Sequence, residues 1–79
     1  MIANFKFSAA ADTTCEVCFE PLGTSFMLFD GQSIYLRGPA ERLAAIEVVY
    51  WANGLSVWVP HPGDDFAVVD AEGNELDRL

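Results

Sequence analysis

Two short stretches contain residue types that could perform chemistry. Cys15 and Cys18 have the CxxC spacing that occurs in zinc sites and in redox-active pairs. His61 is followed by Asp64 and Asp65, and a carboxylate beside an imidazole can orient the ring as a general base. Each stretch also has an ordinary structural interpretation, and the neighbouring sequence decides between the two.

The cysteine pair is expected to be structural. A zinc site of that kind needs four ligands, and the chain has one histidine and no second CxxC. A redox pair uses a helix N-terminus to lower the thiol pKa, whereas Cys15 and Cys18 lie in an alternating, strand-like segment. Residues three positions apart on a strand point to opposite faces. We therefore expect one buried and one exposed thiol, with zinc shared across a dimer and a redox or disulfide role as alternatives.

The histidine stretch is expected to be a surface loop. Pro60 and Pro62 flank His61, which favours a stiff connection, and no nucleophile motif accompanies the imidazole. Asp64 and Asp65 resemble half of a metal site, but a solvated charge pair is the simpler interpretation. The sequence therefore predicts that the protein is not an enzyme and has no cofactor and no metal.

The stretch from Gly38 to Gly54 predicts the single helix that would organise the chain. Pro39 stands at the first helical position, good helix formers follow, and Asn53 with Gly54 can end a helix. On a helical wheel this segment is apolar over most of its circumference, so it would either be sandwiched between two layers or leave one side for a partner. The partner is favoured, because 79 residues hardly supply a second layer. Trp51 would lie on that second side.

Alternation of apolar and polar residues predicts strands on both sides of this helix. The strands are expected at residues 3–8, 14–20, 26–29, 33–37, 55–59 and 66–70. The segment 26–29 is apolar on both faces, which places it centrally, and Asp30-Gly31 predicts a hairpin to the next strand. The expected fold is α+β, a single helix packed on a mostly antiparallel sheet in the order β-β-β-β-α-β-β, forming one compact domain over residues 1–79.

Composition and charge restrict the partners. The chain has twelve acidic and four basic residues, a net charge of −8, which disfavours direct nucleic-acid binding and anionic membranes. The acidity indicates either simple solubility or a surface directed at a basic protein. No apolar run reaches the roughly 18 residues of a membrane span, no signal peptide is recognisable, and two cysteines suggest reduced thiols in a cytoplasm.

The last sixteen residues are the strongest candidate for a binding surface. They contain six of the twelve acids, which we call the tail acids: Asp64, Asp65, Asp70, Glu72, Glu75 and Asp77. Trp58 is expected on the outward face of its strand, and Trp51 on the helix. Exposed aromatics beside charges are typical of protein interfaces, where aromatics anchor and charges steer the encounter. We therefore predict that these eight residues bind a partner.

This profile resembles that of small phage-encoded inhibitors of bacterial defence, anti-CRISPR proteins in particular. The resemblance covers one short acidic α+β domain with a start methionine and no catalytic set, features that immunity proteins and antitoxins share. It implies stoichiometric binding to a basic protein or nucleoprotein complex in a host-cell cytoplasm, with carboxylates standing where phosphates would lie, as a nucleic-acid mimic. The alternative is a homodimeric structural or assembly protein that uses the second side of the helix, around Ala44, Val48, Trp51 and Ala52.

Overall fold

The computed structural model describes residues 1–60 and 64–79, which form two sheets and one short helix. The strands are β1 (Ile2–Ser8), β2 (Thr14–Glu20), β3 (Thr24–Phe29), β4 (Ser33–Pro39), β5 (Glu47–Trp51), β6 (Gly54–Trp58), β7 (Ala67–Val69) and β8 (Glu75–Arg78), and the helix is α1 (Ala40–Leu43). Sheet A has the four-stranded order β1-β4-β7-β8, and sheet B has the four-stranded order β3-β2-β6-β5. Adjacent strands are antiparallel except β2 and β6, which are parallel.

The two sheets pack face to face over a shared core. Leu36 and Val68 of sheet A, and Phe19 and Val57 of sheet B, are each 0% exposed. Phe7 of β1 meets Phe19 of β2 edge to face, with the ring centroids 5.8 Å apart. This aromatic pair joins the two layers, as expected where the inner faces of two sheets interdigitate. The outer face of each sheet is the one that points away from this core.

The expectation of mostly antiparallel strands with one helix is confirmed in that coarse form, but the predicted element order and helix are wrong. Within residues 38–54, only Ala40–Leu43 is helical. Residues 38–39 end β4, residues 44–46 connect α1 to β5, and the remainder forms β5, the turn into β6 and the first residue of β6. The sequence of β5 contains two valines and two aromatics, which fit a pleated surface better than a helix. A strand that is apolar on both faces also looks apolar all round when it is drawn on a helical wheel.

Gly54 does not end a helix; it is the first residue of β6. The turn between β5 and β6 is formed by Ala52 and Asn53, and Gly54 opens β6 opposite Trp51. A Cβ atom at Gly54 would collide with the backbone carbonyl of Glu16 on β2. Glycine is therefore required for the close approach of the parallel strands β2 and β6.

The predicted hairpin after β3 and the central position of β3 are also wrong. Asp30 and Gly31 form a tight turn with φ of 43° and 79°. The turn carries the chain from sheet B to sheet A, since β3 pairs with β2 and β4 pairs with β1. β3 is an edge strand, and its second apolar set, Met27 and Phe29, lies exposed on the outer face of sheet B.

Candidate protein-binding site

The outer face of sheet B carries a group of exposed apolar side chains surrounded by acids. Alternate residues of all four strands point to this face, and five large apolar side chains on it are between 43 and 52% exposed. Three glutamates from β2 and β5 lie among them. The tryptophan face is the set of these eight residues: Met27, Phe29, Val49, Trp51, Trp58, Glu16, Glu20 and Glu47.

Trp58 lies between two glutamates. It is opposite Glu20 on β2 and opposite Glu47 on β5, so the three residues form one row across the sheet. Neighbouring strands are about 4.8 Å apart, which brings both carboxylates within reach of a cation placed on the indole ring. An indole attracts cations through its π-system, and the carboxylates would add charge-assisted hydrogen bonds. The row therefore suits an arginine or lysine side chain.

Trp51 is held in place at the other end of the β5–β6 hairpin. Its Nε1 donates a hydrogen bond of 3.2 Å to the hydroxyl of Ser56. Its Cη2 lies 3.0 Å from where a Cβ atom on Gly54 would stand, so the ring extends over the glycine towards Glu16 on β2. A ring positioned in this way loses little conformational freedom when a partner covers it.

Cys18 lies in the middle of the tryptophan face, next to Ser56 of β6. Its thiol donates to the Glu20 carboxylate at 3.5 Å. Burial raises the pKa of the Cys18 thiol, and the hydrogen bond and negative charge of Glu20 raise it further. A thiol of this kind stays protonated at neutral pH and is a weak nucleophile.

Cys15 lies on the core side of the same strand, so the two thiols occupy opposite faces of β2, as their spacing predicts. Each is partly buried and free, whereas the sequence predicted one buried and one exposed. Over residues 1–60 and 64–79, no three histidine, cysteine or acidic side chains come together in a group that could hold a metal ion. His61, the other residue with possible chemistry, lies outside the described residues.

The tail acids are distributed along sheet A and do not join the two tryptophans. Asp65 forms an ion pair of 2.9 Å with Arg42. Glu75 lies 2.7 Å from Arg78 and 4.0 Å from Arg37, a residue that alternates with the buried Leu36 and therefore marks the outer face of sheet A. The two sheets of a sandwich are about 10 Å apart, so Glu75 and the tryptophans are on opposite sides of the molecule.

The remaining tail acids lie in the β7–β8 hairpin or before it. The Asp70 carboxylate accepts hydrogen bonds from the backbone N–H groups of Glu72 (3.0 Å) and Asn74 (2.8 Å) and from the Asn74 side chain (3.1 Å). The backbone bond from Asn74 is the largest cause that lowers the pKa of Asp70. Asp77 accepts the backbone N–H of Arg78, and Asp64 and Glu72 are exposed. The Asp70 carboxylate therefore stabilises the turn between β7 and β8.

Basic residues are absent from the strands of sheet B. The four lysine and arginine residues lie on β1, β4, α1 and β8, as Lys6, Arg37, Arg42 and Arg78. The tryptophan face therefore carries three carboxylates with no cation on its own strands. Glu16 and Glu20 accept hydrogen bonds from the uncharged side chains of Ser25 and Cys18, so no residue on the strands of sheet B neutralises the charge of the three carboxylates.

Sequence reasoning identified the two tryptophans of this face and missed the other six residues. The sequence predicts Trp51 on a helix, and the polar positions Glu16, Glu20 and Glu47 have no feature that sets them apart from other solvent-facing residues. The exposure of Met27 and Phe29 could have been found from their position in the strand. They alternate with Phe26 and Leu28, and an edge strand that is apolar on both faces leaves one of its two apolar sets exposed. Without knowledge of strand order, the same alternation predicts a central strand.

Comparisons with other proteins add no further assignment. No protein-family model matches the sequence, and searches of curated proteins and of solved structures found no match. In the part of the chain that the structure describes, no helix is long and apolar enough to span a membrane. What the fold and its surface define is a two-sheet β-sandwich with an acidic, aromatic outer face.

Proposed function

We propose that this chain is a small acidic protein-binding inhibitor that blocks a basic, nucleic-acid-handling partner by stoichiometric binding through the tryptophan face. The observation that carries the proposal is the row in which Trp58 lies between Glu20 and Glu47. Protein interfaces are typically built from aromatic side chains that bury most of the contact area, surrounded by polar or charged residues. A partner rich in arginine and lysine supplies the complementary charge.

The proposed binding step begins with long-range attraction. The net charge of −8 attracts a basic surface, and the tail acids contribute to this field without having to touch the partner. An arginine or lysine of the partner then stacks on Trp58 and pairs with the flanking glutamates. Apolar groups of the partner cover Trp51, Val49 and the β3 side chains. Cations occupied in this way are no longer available to phosphates, which is how a nucleic-acid mimic inhibits.

The test is affinity capture from a nuclease-treated bacterial lysate that contains a nucleic-acid-targeting defence complex. Immobilised wild-type protein is compared with the double variant Trp51→Ala/Trp58→Ala and with Leu22→Ala, which removes a 64% exposed side chain from the β2–β3 turn. We expect the wild type and Leu22→Ala to retain basic proteins in a salt-sensitive manner. Loss of two aromatic anchors should reduce retention at least about tenfold, since hot-spot residues contribute roughly 2 kcal/mol or more.

Two results would contradict the proposal. One is retention of the same proteins by the double tryptophan variant. The other is capture dominated by acidic proteins or insensitive to salt. Inhibition itself is then measured as loss of nucleic-acid binding by the captured partner when the wild-type chain is added in a one-to-one ratio.

The homodimer alternative requires a long helix with a second apolar side, but α1 spans only Ala40–Leu43 and is followed by β5. Ala44 and Ala52 lie in turns, whereas Val48 and Trp51 lie on β5. A second copy on the tryptophan face would bring together two surfaces that each carry three glutamates, and two chains of charge −8 repel one another. Light scattering distinguishes this alternative, because it predicts a concentration-dependent dimer.

A further inference from the structure

We propose that the partner binds by adding an extended strand to the free edge of β5, and that this strand alternates basic and apolar residues. The inference rests on the proposed function and specifies the mode of recognition. It is carried by three features of the described residues: the backbone groups at the edge of β5, the cleft beside that edge, and the row of charges on the outer face.

The hydrogen bonds of β6 show which of its backbone groups point towards β5. On the side of β2, the carbonyl of Asn53 accepts the N–H of Glu16 at 3.0 Å, and the N–H of Val59 donates to the carbonyl of Glu20 at 3.0 Å. Backbone groups of successive strand residues point to opposite edges. The odd-numbered residues of this segment therefore face β2, and its even-numbered residues face β5.

The same alternation identifies the open positions of β5. Glu47, Val49 and Trp51 are opposite the even-numbered residues of β6 and form its hydrogen-bonded partners. The N–H and C=O groups of Val48 and Tyr50 point the other way. Within residues 1–60 and 64–79 no strand pairs with this edge, because β5 is the last strand of sheet B.

β5 also lacks the features that protect an edge from strand addition. Charged residues, prolines and bulges are the usual protections. β8 has a register shift and a charged sequence, and β1 carries Lys6. β5 is in regular register with β6, has the sequence EVVYW and carries one charge, at Glu47. β3, the other edge strand of sheet B, is also uncharged and in regular register. Of these two unprotected edges, β5 is the one at which the row of Glu20, Trp58 and Glu47 ends.

A cleft beside β5 can accept alternate side chains of the added strand. It has a volume of about 280 Å³, lies between β1 and sheet B, and is lined on its apolar side by Phe5, Val48, Tyr50 and Leu55. Tyr50 is 80% exposed at its mouth. Strand addition obtains affinity from backbone hydrogen bonds and specificity from such pockets. Every second residue of the partner strand is expected to be apolar.

The other residues of the added strand would lie over the tryptophan face. The row Glu20, Trp58 and Glu47 ends at the edge of β5, so a partner residue at this position would extend the row. A lysine or arginine there is adjacent to Glu47 and can reach over Trp58. Charge complementarity thus favours a basic segment over a second copy of this chain, which has a net charge of −8.

The test uses two synthetic octapeptides with the same composition. One alternates arginine and valine, and the other has four valines followed by four arginines. Binding to the wild-type chain is followed by the fluorescence of Trp51 and Trp58 at peptide concentrations where the peptides are monomeric. We expect the alternating peptide to bind at least about tenfold more tightly; equal affinities would overturn the proposal.

A matched pair of variants tests the backbone contact. Tyr50→Pro removes the outward N–H, which an edge strand tolerates, and Tyr50→Ala removes only the side chain. We expect Tyr50→Pro to bind the alternating peptide at least about tenfold more weakly than Tyr50→Ala. Circular dichroism and thermal unfolding establish whether both variants are folded, and equal binding by two folded variants would contradict strand addition.

A third measurement leaves the protein unchanged. The alternating peptide is N-methylated either on its odd or on its even residues, so that one edge of the peptide strand is blocked in each version. Strand addition uses one edge, so one version should bind and the other should not. Equal retention or equal loss for both versions would overturn the proposal, even if Tyr50→Pro does not fold.

Failure of the strand-addition proposal can be distinguished from failure of the proposed function. A captured partner that binds Tyr50→Pro normally but not Trp51→Ala/Trp58→Ala would refute strand addition and leave the proposed function intact. A partner that binds the double tryptophan variant normally would refute the proposed function itself. A wild-type dimer that becomes monomeric in Tyr50→Pro would show that a second copy occupies the edge, which also overturns the proposal.

Discussion

At the scale of single residues, we expect Trp58 and its two glutamates to make the strongest contacts with the partner. Replacing Glu20 and Glu47 together by glutamine keeps the shape of the side chains and removes both charges. We expect binding of the captured partner to weaken about tenfold or more, mainly through faster dissociation, because truncating a contacted charge pair acts on the complex itself. Kinetic binding measurements on an immobilised partner would show this change.

The matched control for this prediction is Glu72→Gln, which removes an exposed charge from the β7–β8 turn on sheet A. We expect it to leave the dissociation rate unchanged. Similar dissociation rates for the control and the Glu20→Gln/Glu47→Gln variant would mean that the partner does not contact the Trp58 row.

Two phenylalanines with opposite surroundings test the core and the outer face separately. Phe19 is 0% exposed and contacts Phe7 and Phe26 edge to face, whereas Phe29 is 52% exposed. Phe19→Ala should lower the free energy of unfolding by about 3–5 kcal/mol, as other large-to-small core substitutions do. Phe29→Ala should lower it by less than about 1 kcal/mol and weaken partner binding instead. Urea unfolding distinguishes the two, and equal losses would place Phe29 in the core.

At the scale of elements, the β7–β8 hairpin is expected to depend on the charge of Asp70. The folded-state pKa of this carboxyl is lowered, mainly by the backbone hydrogen bond from Asn74. Its stabilising contribution is therefore fully present above the ordinary aspartate pKa of about 3.9 and is lost as the pH falls through the lower folded value. Asp70→Asn should be less stable than the wild type at neutral pH, and this difference should shrink below about pH 4.

Thermal unfolding of both proteins between neutral pH and acid measures that difference. Asp64→Asn is a suitable control, because Asp64 lies outside the hairpin. A gap between Asp70→Asn and the wild type that stays constant with pH would show that the carboxylate charge does not hold the turn.

Most strands of this fold could be predicted from alternation, whereas β5 and β8 could not. In β1, β2 and β6 one face is apolar and the other polar, which is the pattern that a half-buried strand requires. β5 is apolar on both faces although it is an edge strand, and it follows the good helix formers of α1. β8 has four residues and only a weak pattern. In both cases the hairpin with the neighbouring strand, β6 for β5 and β7 for β8, decides the structure rather than the local pattern.

The outward position of Trp58 could be predicted from the sequence, whereas the glutamates that surround it could not. Trp58 was correctly placed on an outward face, since it alternates with the buried Val57 and Val59. The glutamates beside it belong to other strands, and their neighbourhood depends on the β2–β6 and β5–β6 registers. Sequence alone does not specify the register of β2 against the distant β6, so it indicates acids that are neighbours along the chain rather than acids that are neighbours in space.

At the scale of the whole molecule, charge is divided between two opposite faces. The outer face of sheet A holds three of the four basic residues, and the outer face of sheet B holds three glutamates and no basic residue. The tail acids lie outside the tryptophan face, so we expect them to act through the long-range field. The variant Asp64→Lys/Glu72→Lys should slow association with the partner and flatten its salt dependence, while dissociation changes little.

Stopped-flow association rates at several salt concentrations check this expectation. The matched control is Asp64→Asn/Glu72→Gln, which removes half as much charge and should have an intermediate rate. If both variants accelerate dissociation instead, the tail acids contact the partner directly, as the sequence first suggested.

We propose that the partner covers the outer face of sheet B. Hydroxyl-radical footprinting of the chain, alone and bound to its captured partner, tests this proposal, because methionine and aromatic side chains report oxidation well. We expect protection of Met27, Phe29, Trp51 and Trp58 in the complex. Ile2, which is 63% exposed on the side of β1 that carries Lys6, should be oxidised as in the free chain. Protection of Ile2 with unchanged oxidation of both tryptophans would show that the partner covers another surface.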